Sequence, residues 1–263
     1  MAQARLRGGV IINADSMQVY KELRIITARP TIAEEAQVPH RLFGHVSGAD
    51  DYSTAAWLAQ AQIEIENCWQ AGQLPIICGG TGLYFMALEQ GLAKLPPIDP
   101  IIREKWRGFE GDLHAELEKR HSESAAKLNP ADRQRLIRSL EVLESTGKPL
   151  IEWQKDAQQK SFLQGVAVER IFMNIPRDEL YARAERRFDH MQEQGALDEV
   201  RVLPTLDPAQ PLMKAIGVPE LLAHLRGELT LEEAKTKAKT ATRNYIKRQM
   251  TWFRGQMTGW NKI

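Results

Sequence analysis

The chain has few of the features that mark secreted or membrane proteins. It contains only two cysteines, Cys68 and Cys78, among 263 residues, which excludes a disulfide framework and leaves no cysteine spacing typical of a metal site. No apolar run approaches the roughly 20 residues that span a bilayer, and the first residues lack the apolar segment of a secretory signal. We therefore expect a soluble protein of the reducing cytoplasm, with no membrane partner.

A large excess of charge of one sign is also missing. The formal net charge is +1 and the sequence pI is about 7.8, so overall charge does not indicate an acidic or a basic partner. The charge is unevenly distributed, however, because residues 234–263 contain eight Lys or Arg and no acidic residue. Basic residues interleaved with aromatic ones are typical of nucleic-acid binding, although aromatics at helical spacing also belong in cores. The aromatic residues in this segment are Tyr245, Trp252, Phe253 and Trp260.

Short apolar segments alternate with helical patterns along most of the chain. Strands are predicted at residues 10–12, 40–46, 74–78 and 166–175, and the apolar run 74–78 is typical of a strand buried on both faces. Residues 1–7 predict the end of a helix that Gly8 terminates, and Ser53 or Thr54 predicts the N-cap of a long helix. Further helices are predicted at residues 177–195, 218–225 and 232–255. Strands that alternate with helices indicate an α/β fold.

One region has no strand pattern. Residues 101–158 are heavily charged and helical in pattern, and the sequence Leu95-Pro96-Pro97 marks a boundary before them. We expect residues 1–94 and 166–263 to form an α/β core that carries catalysis and the basic C-terminal helices. Residues 95–165 are then expected to form an inserted helical subdomain.

Asp15 follows the first predicted strand directly and has polar neighbours on both sides. Ligands of open parallel sheets bind at the carboxyl ends of the strands, where a carboxylate can accept a proton or hydrogen bond from a substrate. The alternative is that Asp15 and Ser16 cap a following helix, which is a common use of these residue types. The local pattern alone favours the cap.

Two further segments could contact an anion. Gly79-Gly80-Thr81-Gly82 joins a strand to a helix and could offer backbone N–H groups to a phosphate, although such glycine turns are often purely structural. Arg135 and Arg138 lie three residues apart, hence on one helix face, and together with Gln134 they suit phosphate and base-edge contacts. A solvated basic face is the commoner explanation of that pattern.

A cluster of arginines follows the last predicted long strand. Arg183, Arg186 and Arg187 lie on one predicted helix, and such a cluster can hold a diphosphate by bidentate contacts. Glu179 and Glu185 lie nearby and could equally well neutralise it. The spacing does not decide between these two possibilities.

Several motifs, taken in order, resemble those of one family, the tRNA dimethylallyltransferases. The resemblance covers essentially the whole chain and implies a P-loop NTPase-like parallel α/β sheet, with residues 95–165 as a helical arm that grips the anticodon stem. The motifs are Asn13-Ala14-Asp15-Ser16-Met17-Gln18-Val19-Tyr20, Thr27-Ala28-Arg29-Pro30, Gly79-Gly80-Thr81-Gly82-Leu83-Tyr84, residues 132–141, Met213-Lys214-Ala215-Ile216-Gly217, and residues 241–243 and 247–254.

The resemblance also implies an activity. It is the transfer of a dimethylallyl group from dimethylallyl diphosphate to N6 of an adenosine beside the anticodon of tRNA, with Mg²⁺ as cofactor and pyrophosphate as product. Asp15 matches the general base, and Arg187 matches an arginine that grips the diphosphate near Gly80 and Thr81. No residue of this chain is assigned as a metal ligand, and a monomer is expected. Residues that match tRNA contacts are Asp15, Ser16, Met17, Gln18, Thr81, Arg103, Gln134, Arg135, Leu136, Ile137 and Arg138.

The chain departs from the family pattern at its start. The family begins with a strand, a Gly-Pro-Thr-x-Ser-Gly-Lys-Ser/Thr loop and a helix, and none of these occurs here. That loop cradles the diphosphate, and its hydroxyl binds Mg²⁺. We therefore expect this chain to begin at an internal methionine and to be inactive or nearly so. Ile76 and Ile77 are expected to have an unpaired edge or exposed faces.

Three other functions are compatible with parts of the sequence. An RNA-binding protein that has lost catalysis would bind tRNA with a steep salt dependence and release no pyrophosphate. An adenylate dimethylallyltransferase would modify free nucleotide, but it would need neither residues 134–138 nor a basic C-terminal helix. A P-loop kinase has less support because the loop itself is absent.

Overall fold

The computed structural model describes residues 1–158 and 161–263 and confirms the α/β class. The chain divides into two compact units, of which the first comprises Met1–Phe85 with Ala167–Ile263 and the second comprises Met86–Val166. Gln159 and Lys160, which fall within the predicted insert, lie outside the described residues.

Helices and short strands follow one another in the order that the sequence predicts. Two short 3₁₀ helices, Leu203–Thr205 and Pro211–Lys214, occupy the proline-punctuated segment before residue 218. In chain order the other elements are α1 (Ala2–Arg7), β1 (Gly9–Asn13), α2 (Ile32–Glu35), β2 (His40–Arg41), α3 (Thr54–Gln70), β3 (Leu74–Cys78), α4 (Gly82–Gln90), α5 (Pro100–Arg107), α6 (Leu113–Arg120), α7 (Ser122–Ala126), α8 (Arg133–Thr146), α9 (Leu150–Gln158), β4 (Ile171–Phe172), α10 (Arg177–Glu193), α11 (Ala196–Arg201), α12 (Val218–Leu225), α13 (Leu231–Gln256) and β5 (Asn261–Lys262).

The main sheet is parallel and has the strand order β2-β1-β3. Every residue of the central strand β1 is buried, and its pairing with β3 runs from Gly9 opposite Leu74 to Asn13 opposite Cys78. The carboxyl ends of β1 and β3 therefore lie side by side, and the chain leaves both strands at the same edge of the sheet.

The prediction that β3 is buried on both faces is wrong. Leu74 to Ile77 are only partly buried and Cys78 is exposed, and β3 is an edge strand that pairs only with β1 within residues 1–158 and 161–263. Ile76 and Ile77 thus have the incomplete burial that the family resemblance led us to expect. Cys68 and Cys78 are both free thiols.

Two predicted strands are much shorter than their patterns suggested. The pattern at residues 40–46 yields only the two residues of β2, because Leu42 and Gly44 have φ of 62° and 52°, outside the extended region. Val46 forms a single bridge with Tyr20. The pattern at residues 166–175 yields only β4, which pairs in parallel with β5, a strand that the sequence did not predict.

The predicted helix ends are confirmed where their capping chemistry was recognised. Gly8 ends α1 with a left-handed φ of 61°, and the Ser53 side chain accepts the N–H of Ala56 at the start of α3. Thr230 and Glu233 form a reciprocal capping box at the start of α13. The last of these caps sets the start of α13, the helix that contains most of the basic C-terminal segment.

Each unit has a hydrophobic core of its own. In the first unit, Tyr20 and Leu23 from the segment after β1 pack with Phe188 of α10 and Leu221 of α12. The second unit contains helices and no strand among its described residues, and Trp106 is among its buried core side chains. Among residues 1–158 and 161–263, none of the helices has the length and apolarity that a membrane crossing requires.

Candidate active site

The loop after β1 is fixed by one buried side chain, that of Asn13. Its Oδ1 accepts the N–H of Asp15 at 2.8 Å, and its Nδ2 donates to the carbonyls of Asp15 at 2.9 Å and Leu42 at 3.0 Å. Trp57 of α3 donates from Nε1 to the Asn13 carbonyl at 2.7 Å. Asn13 is completely buried, so these bonds hold the Asp15 backbone where it leaves the strand.

Asp15 does not cap a helix, contrary to the interpretation that its local pattern favoured. The residues after it form turns, and the next helix begins only at Ile32. The Asp15 carboxylate instead accepts the N–H of Met17 at 2.9 Å, within its own loop. A run of turns replaces the helix, and Val19 and Tyr20 point into the core from it.

The Asp15 carboxyl group is a stronger proton acceptor than an exposed aspartate. Burial raises its pKa, whereas the backbone N–H groups of Met17 and Gln18 and the positive charge of Arg187 lower it, and burial has the larger effect. A raised pKa at the carboxyl end of a parallel strand is the electrostatic signature of a group that takes up protons.

The glycine turn after β3 packs directly on this loop. Ala14 donates its N–H to the Cys78 carbonyl at 2.8 Å, and Thr81 donates its N–H to the Ala14 carbonyl at 3.0 Å. The Thr81 hydroxyl accepts the N–H of Ser16 at 2.9 Å and donates to the Ser16 hydroxyl at 3.2 Å. A Cβ on Gly79 would lie 2.2 Å from the Ala14 carbonyl carbon, so only glycine allows this approach.

Helix α13 contacts the other side of the same turn. Gln249 donates from Nε2 to the Gly80 carbonyl at 2.8 Å, and a Cβ on Gly80 would lie 3.6 Å from Asp15 Oδ2. The Trp252 ring covers Gly82, where a Cβ would lie 2.1 Å from it. The turn is therefore clamped between the Asp15 loop and the C-terminal helix.

Tyr245 lies one helical turn before Gln249 and also faces the site. Burial and the negative charge of Asp15 raise the pKa of the Tyr245 phenol to about 12, and a hydrogen bond with Gln249 opposes them. The phenol therefore stays protonated at neutral pH and can donate a hydrogen bond. In the sequence, Tyr245 stood out only as an aromatic in a basic segment, and Gln249 and Trp252 belonged to the motif at residues 247–254 without an assigned role in the site.

Arg187 of α10 acts on Asp15 through its charge. Its side chain is exposed, yet the protein atoms around the guanidinium remove enough water to lower its pKa. The negative charge of Asp15 partly offsets this decrease in pKa. The arginine remains protonated in spite of this, because the ordinary pKa of the group is far above neutrality. The structure thus brings together the two residues predicted to be catalytic.

The neighbouring acidic side chains do not neutralise Arg187. Glu179 forms an ion pair with Arg183 at 2.5 Å, and Glu185 forms one with Arg243 of α13 at 2.6 Å. Arg187 has no carboxylate within ion-pair distance among residues 1–158 and 161–263. Of the predicted arginine cluster, Arg183 is thus neutralised by Glu179, whereas neither Glu179 nor Glu185 is paired with Arg187.

The remaining predicted contact residues belong to the second unit. Gln134 and Arg135 are exposed at the start of α8, and Arg135 pairs with the N-cap residue Asp132 at 3.2 Å. Arg138 is half-buried and pairs at 3.3 Å with Glu141, whose side chain is only 5% exposed. Both arginines keep further N–H donors for an RNA phosphate.

Not every residue of this segment can offer its side chain to a partner. Leu136 is 1% exposed in the core of the second unit, and Ile137 is partly buried against that core. Arg103 on α5 is exposed. The side chains of this unit that remain accessible at the predicted positions are thus the polar ones.

The residues around Asp15 do not make a metal site by themselves. In the part of the chain that the structure describes, no three His, Cys, Asp or Glu side chains converge in a way that could hold an ion. The hydroxyl oxygens beside Asp15 belong to Ser16 and Thr81, and they bond to each other.

A carboxylate with a raised pKa at a strand end, within the electrostatic reach of an arginine, is a candidate site for proton uptake beside an anionic group. Comparison with known proteins identifies the family. Residues 18–256 match the family model described as IPP transferase. The tRNA dimethylallyltransferase of Methylobacterium nodulans is 50% identical over 97% of this chain and 86% of its own length, and that of Rhodopseudomonas palustris is 49% identical over 98% and 83%.

Solved structures agree with these relatives. The full-length tRNA isopentenylpyrophosphate transferase of Bacillus halodurans superposes with a TM-score of 0.69 at 33% identity, over 99% of this chain and 84% of that one. A eukaryotic dimethylallyltransferase acting on tRNA gives a TM-score of 0.78 at 27% identity, over 95% of this chain and 64% of that one. The chain belongs to the IPP transferase family, the tRNA dimethylallyltransferases.

Proposed function

We propose that this protein transfers a dimethylallyl group from dimethylallyl diphosphate to N6 of the adenosine next to the anticodon of tRNA and releases pyrophosphate. The observation that carries the proposal is the position of Asp15 at the carboxyl end of β1, with a raised pKa and with Arg187 acting on it. Family membership supplies the class of donor and acceptor.

Asp15 has the role of general base in this proposal. The lone pair of the adenine amine is delocalised into the ring, so the amine is a poor nucleophile until a base draws off its proton. As the bond between N6 and the first prenyl carbon forms, the N6 proton passes to the Asp15 carboxylate. The adenine must leave the base stack of the anticodon loop to reach Asp15. This costs little free energy where the adenine is not base-paired.

Arg187 acts on the leaving group. The bond between the prenyl carbon and the diphosphate oxygen breaks with both electrons passing to the oxygen, so negative charge develops on pyrophosphate. A guanidinium beside the leaving group stabilises that charge more in the transition state than in the ground state. Gly80 and Thr81 border the same space, but the N–H and hydroxyl of Thr81 are already engaged within the protein.

Mg²⁺ has no assigned ligand in this chain, because the residues at the site do not fit a metal centre of their own. Mg²⁺ in sites of this chemistry is held largely by substrate phosphates and water, so we expect it to accompany the diphosphate.

The second unit is proposed to bind the anticodon arm. Its support is the exposed or half-exposed polar set formed by Arg103, Gln134, Arg135 and Arg138, which suits phosphate and base-edge contacts. We further propose that one chain is the working unit and that it acts in the cytoplasm, where the tRNA substrate is found.

The test replaces Asp15 in the natural gene. Asp15→Asn keeps the size of the side chain and removes its basicity, and Asp198→Asn makes the same change at a carboxylate that is 82% exposed. Prenylated adenosine in tRNA, measured by mass spectrometry, should vanish in the Asp15→Asn strain and in a gene deletion, and persist with Asp198→Asn. Protein purified from the natural gene should lose roughly 10²–10⁴-fold in turnover when Asp15 is replaced by Asn.

Two results would overturn the proposal. One is prenylated adenosine at its normal level in the gene deletion. The other is equal turnover by the wild-type and Asp15→Asn proteins. Competition between AMP and tRNA in the purified assay separates the tRNA enzyme from an enzyme that modifies free nucleotide.

A further inference from the structure

The carboxylate of Glu199, on α11, is held by the backbone of a turn far away in the sequence. Its Oε2 accepts the N–H groups of Arg24 at 2.9 Å and Ile25 at 2.7 Å, and its Oε1 accepts the N–H of Ile26 at 3.0 Å. Successive N–H groups that converge in this way form a cradle for an anion. Here the anion is a side chain of the protein itself, so the cradle ties α11 to the turn at residues 24–28.

Both partners of this contact are anchored in the core of the first unit. Ala196 and Val200 of α11 are completely buried, and Ile26 of the turn packs in the same core cluster. The turn also closes on itself, because Ala28 donates its N–H to the Ile25 carbonyl at 2.9 Å. The carboxylate therefore projects from a fixed helix onto a turn of defined shape.

The turn holds one side chain of the loop that carries the candidate base. Gln18 donates from Nε2 to the carbonyls of Thr27 at 2.9 Å and Ala28 at 3.3 Å. The backbone N–H of Gln18 is one of the two that act on the Asp15 carboxylate. Gln18 thus links the turn that Glu199 grips to the candidate base.

We propose that Glu199 is a positioning residue for prenyl transfer, because it fixes the turn at residues 24–28 and thereby the placement of Gln18 beside Asp15. The inference rests on the proposed function for the identity of the reaction. Among the contacts of the described residues, Glu199 has no hydrogen bond with Asp15. Its effect on the candidate base therefore passes through Gln18.

A carboxylate suits this cradle and an amide does not. Two N–H groups bond to one oxygen and the third bonds to the other, whereas a glutamine side chain offers one acceptor oxygen and a nitrogen that is itself a donor. Glu199→Gln therefore sets a donor of the side chain against an N–H of the turn while it keeps the side-chain size. The bonds that Asn13 and Thr81 make to the loop are untouched. We expect the loop to keep its fold and to lose the placement that Gln18 gives to Asp15.

The first test is kinetic and uses protein purified from the natural gene, with tRNA and dimethylallyl diphosphate as substrates. In Glu199→Gln, kcat should fall by between about tenfold and about 10²-fold, the cost of displacing a reacting group by about 1 Å. KM for the diphosphate should change little, because Arg187 lies on α10 and keeps its place. The matched control is Asp198→Asn, which removes the neighbouring carboxylate, 82% exposed, and should leave kcat unchanged.

The pH profile separates a change of position from a change of charge. Loss of the Glu199 charge by itself would lower the pKa of Asp15, since a nearby negative charge favours the protonated carboxyl group. Loss of the Gln18 N–H raises that pKa, while the N–H of Met17 and the charge of Arg187 continue to lower it. The acid limb of the kcat profile should therefore move to higher pH in Glu199→Gln and stay in place in the control.

Hydrogen exchange of backbone amides, followed by mass spectrometry, gives a readout that does not need activity. Glu199→Gln should raise the exchange of residues 15–20 and 24–28 and leave β1 protected. Unchanged exchange at residues 15–20, or an acid limb that stays in place or moves to lower pH, would overturn the proposal.

A second variant guards against a loss of folding. Glu199→Asp keeps the charge and shortens the side chain by a single methylene, so it cannot reach all three N–H groups, and full recovery of kcat in this variant would contradict a positioning role. It takes the place of Glu199→Gln in both measurements if that protein does not fold. Failure of the wild-type protein to prenylate tRNA would refute the proposed function, and the exchange of residues 15–20 would still decide whether Glu199 fixes the loop.

Discussion

Replacement of Asn13 by alanine tests the claim that this side chain holds the candidate base in place. Asn13 is fully buried and makes three side-chain hydrogen bonds, one with the N–H of Asp15 and two with the carbonyls of Asp15 and Leu42. Asn13→Ala removes all three while leaving the β1 backbone intact. The groups left behind are partly or wholly shielded from water, so solvent replaces the lost bonds poorly.

The expected loss of stability can be worked from these contacts. A net contribution of about 1 kcal/mol for each hydrogen bond gives about 3 kcal/mol of unfolding free energy lost. At about 2–4 °C per kcal/mol for a domain of this size, Tm should fall by roughly 6–12 °C. Turnover should fall as well, because Asp15 loses the bond that fixes its own N–H.

Urea unfolding followed by tryptophan fluorescence measures the change in free energy. Asn244→Ala is the matched control, because Asn244 is exposed on α13, and it should stay within about 0.5 kcal/mol of the wild type. A change of less than about 1 kcal/mol in Asn13→Ala would refute the reasoning. It would mean that these hydrogen bonds are formed without contributing to the stability of the loop.

Two further predictions concern the site itself. Arg187→Gln removes a positive charge that lowers the pKa of Asp15, so that pKa rises further. The carboxylate is then protonated at a higher pH as the pH is lowered, so the acid limb of the kcat profile should move to higher pH. Gln249→Met removes the hydrogen bond to the Gly80 carbonyl and keeps the side-chain volume. We expect kcat to fall by a larger factor than the factor by which KM for the diphosphate changes. An unmoved acid limb in the first case, or an unchanged kcat in the second, would contradict these assignments.

The sequence predicted the position of Asp15 because a β-branched run followed by polar residues has few other interpretations. It failed on the residues after Asp15, where the cap interpretation was favoured. Helix capping is a local property, whereas the turns after Asp15 are stabilised by distant groups, such as the Arg29 guanidinium bonded to the Tyr20 carbonyl. A pattern confined to a few neighbouring residues carries no information about such partners.

The same limit explains why Gln249 was given no role in the site and why the neutralisation of the arginine cluster was left undecided. Gln249 and Gly80 are 169 residues apart, and their contact exists only because α13 passes the end of β3. Whether the cluster is neutralised depends on which arginine each glutamate reaches. Glu185 reaches Arg243 on another helix, and helical spacing within α10 cannot reveal that.

The opposing effects of burial and of Arg187 on the pKa of Asp15 link the basicity of Asp15 to binding of the diphosphate donor. Burial raises the pKa of the carboxyl group and Arg187 lowers it. The basicity of the carboxylate is therefore reduced while no diphosphate is bound at Arg187. In the proposed reaction a diphosphate at Arg187 cancels part of that positive field, and burial then acts with less opposition. Asp15 becomes a stronger proton acceptor at the moment when the electrophile is in place. By linkage, protonation of Asp15 must favour diphosphate binding to the same extent.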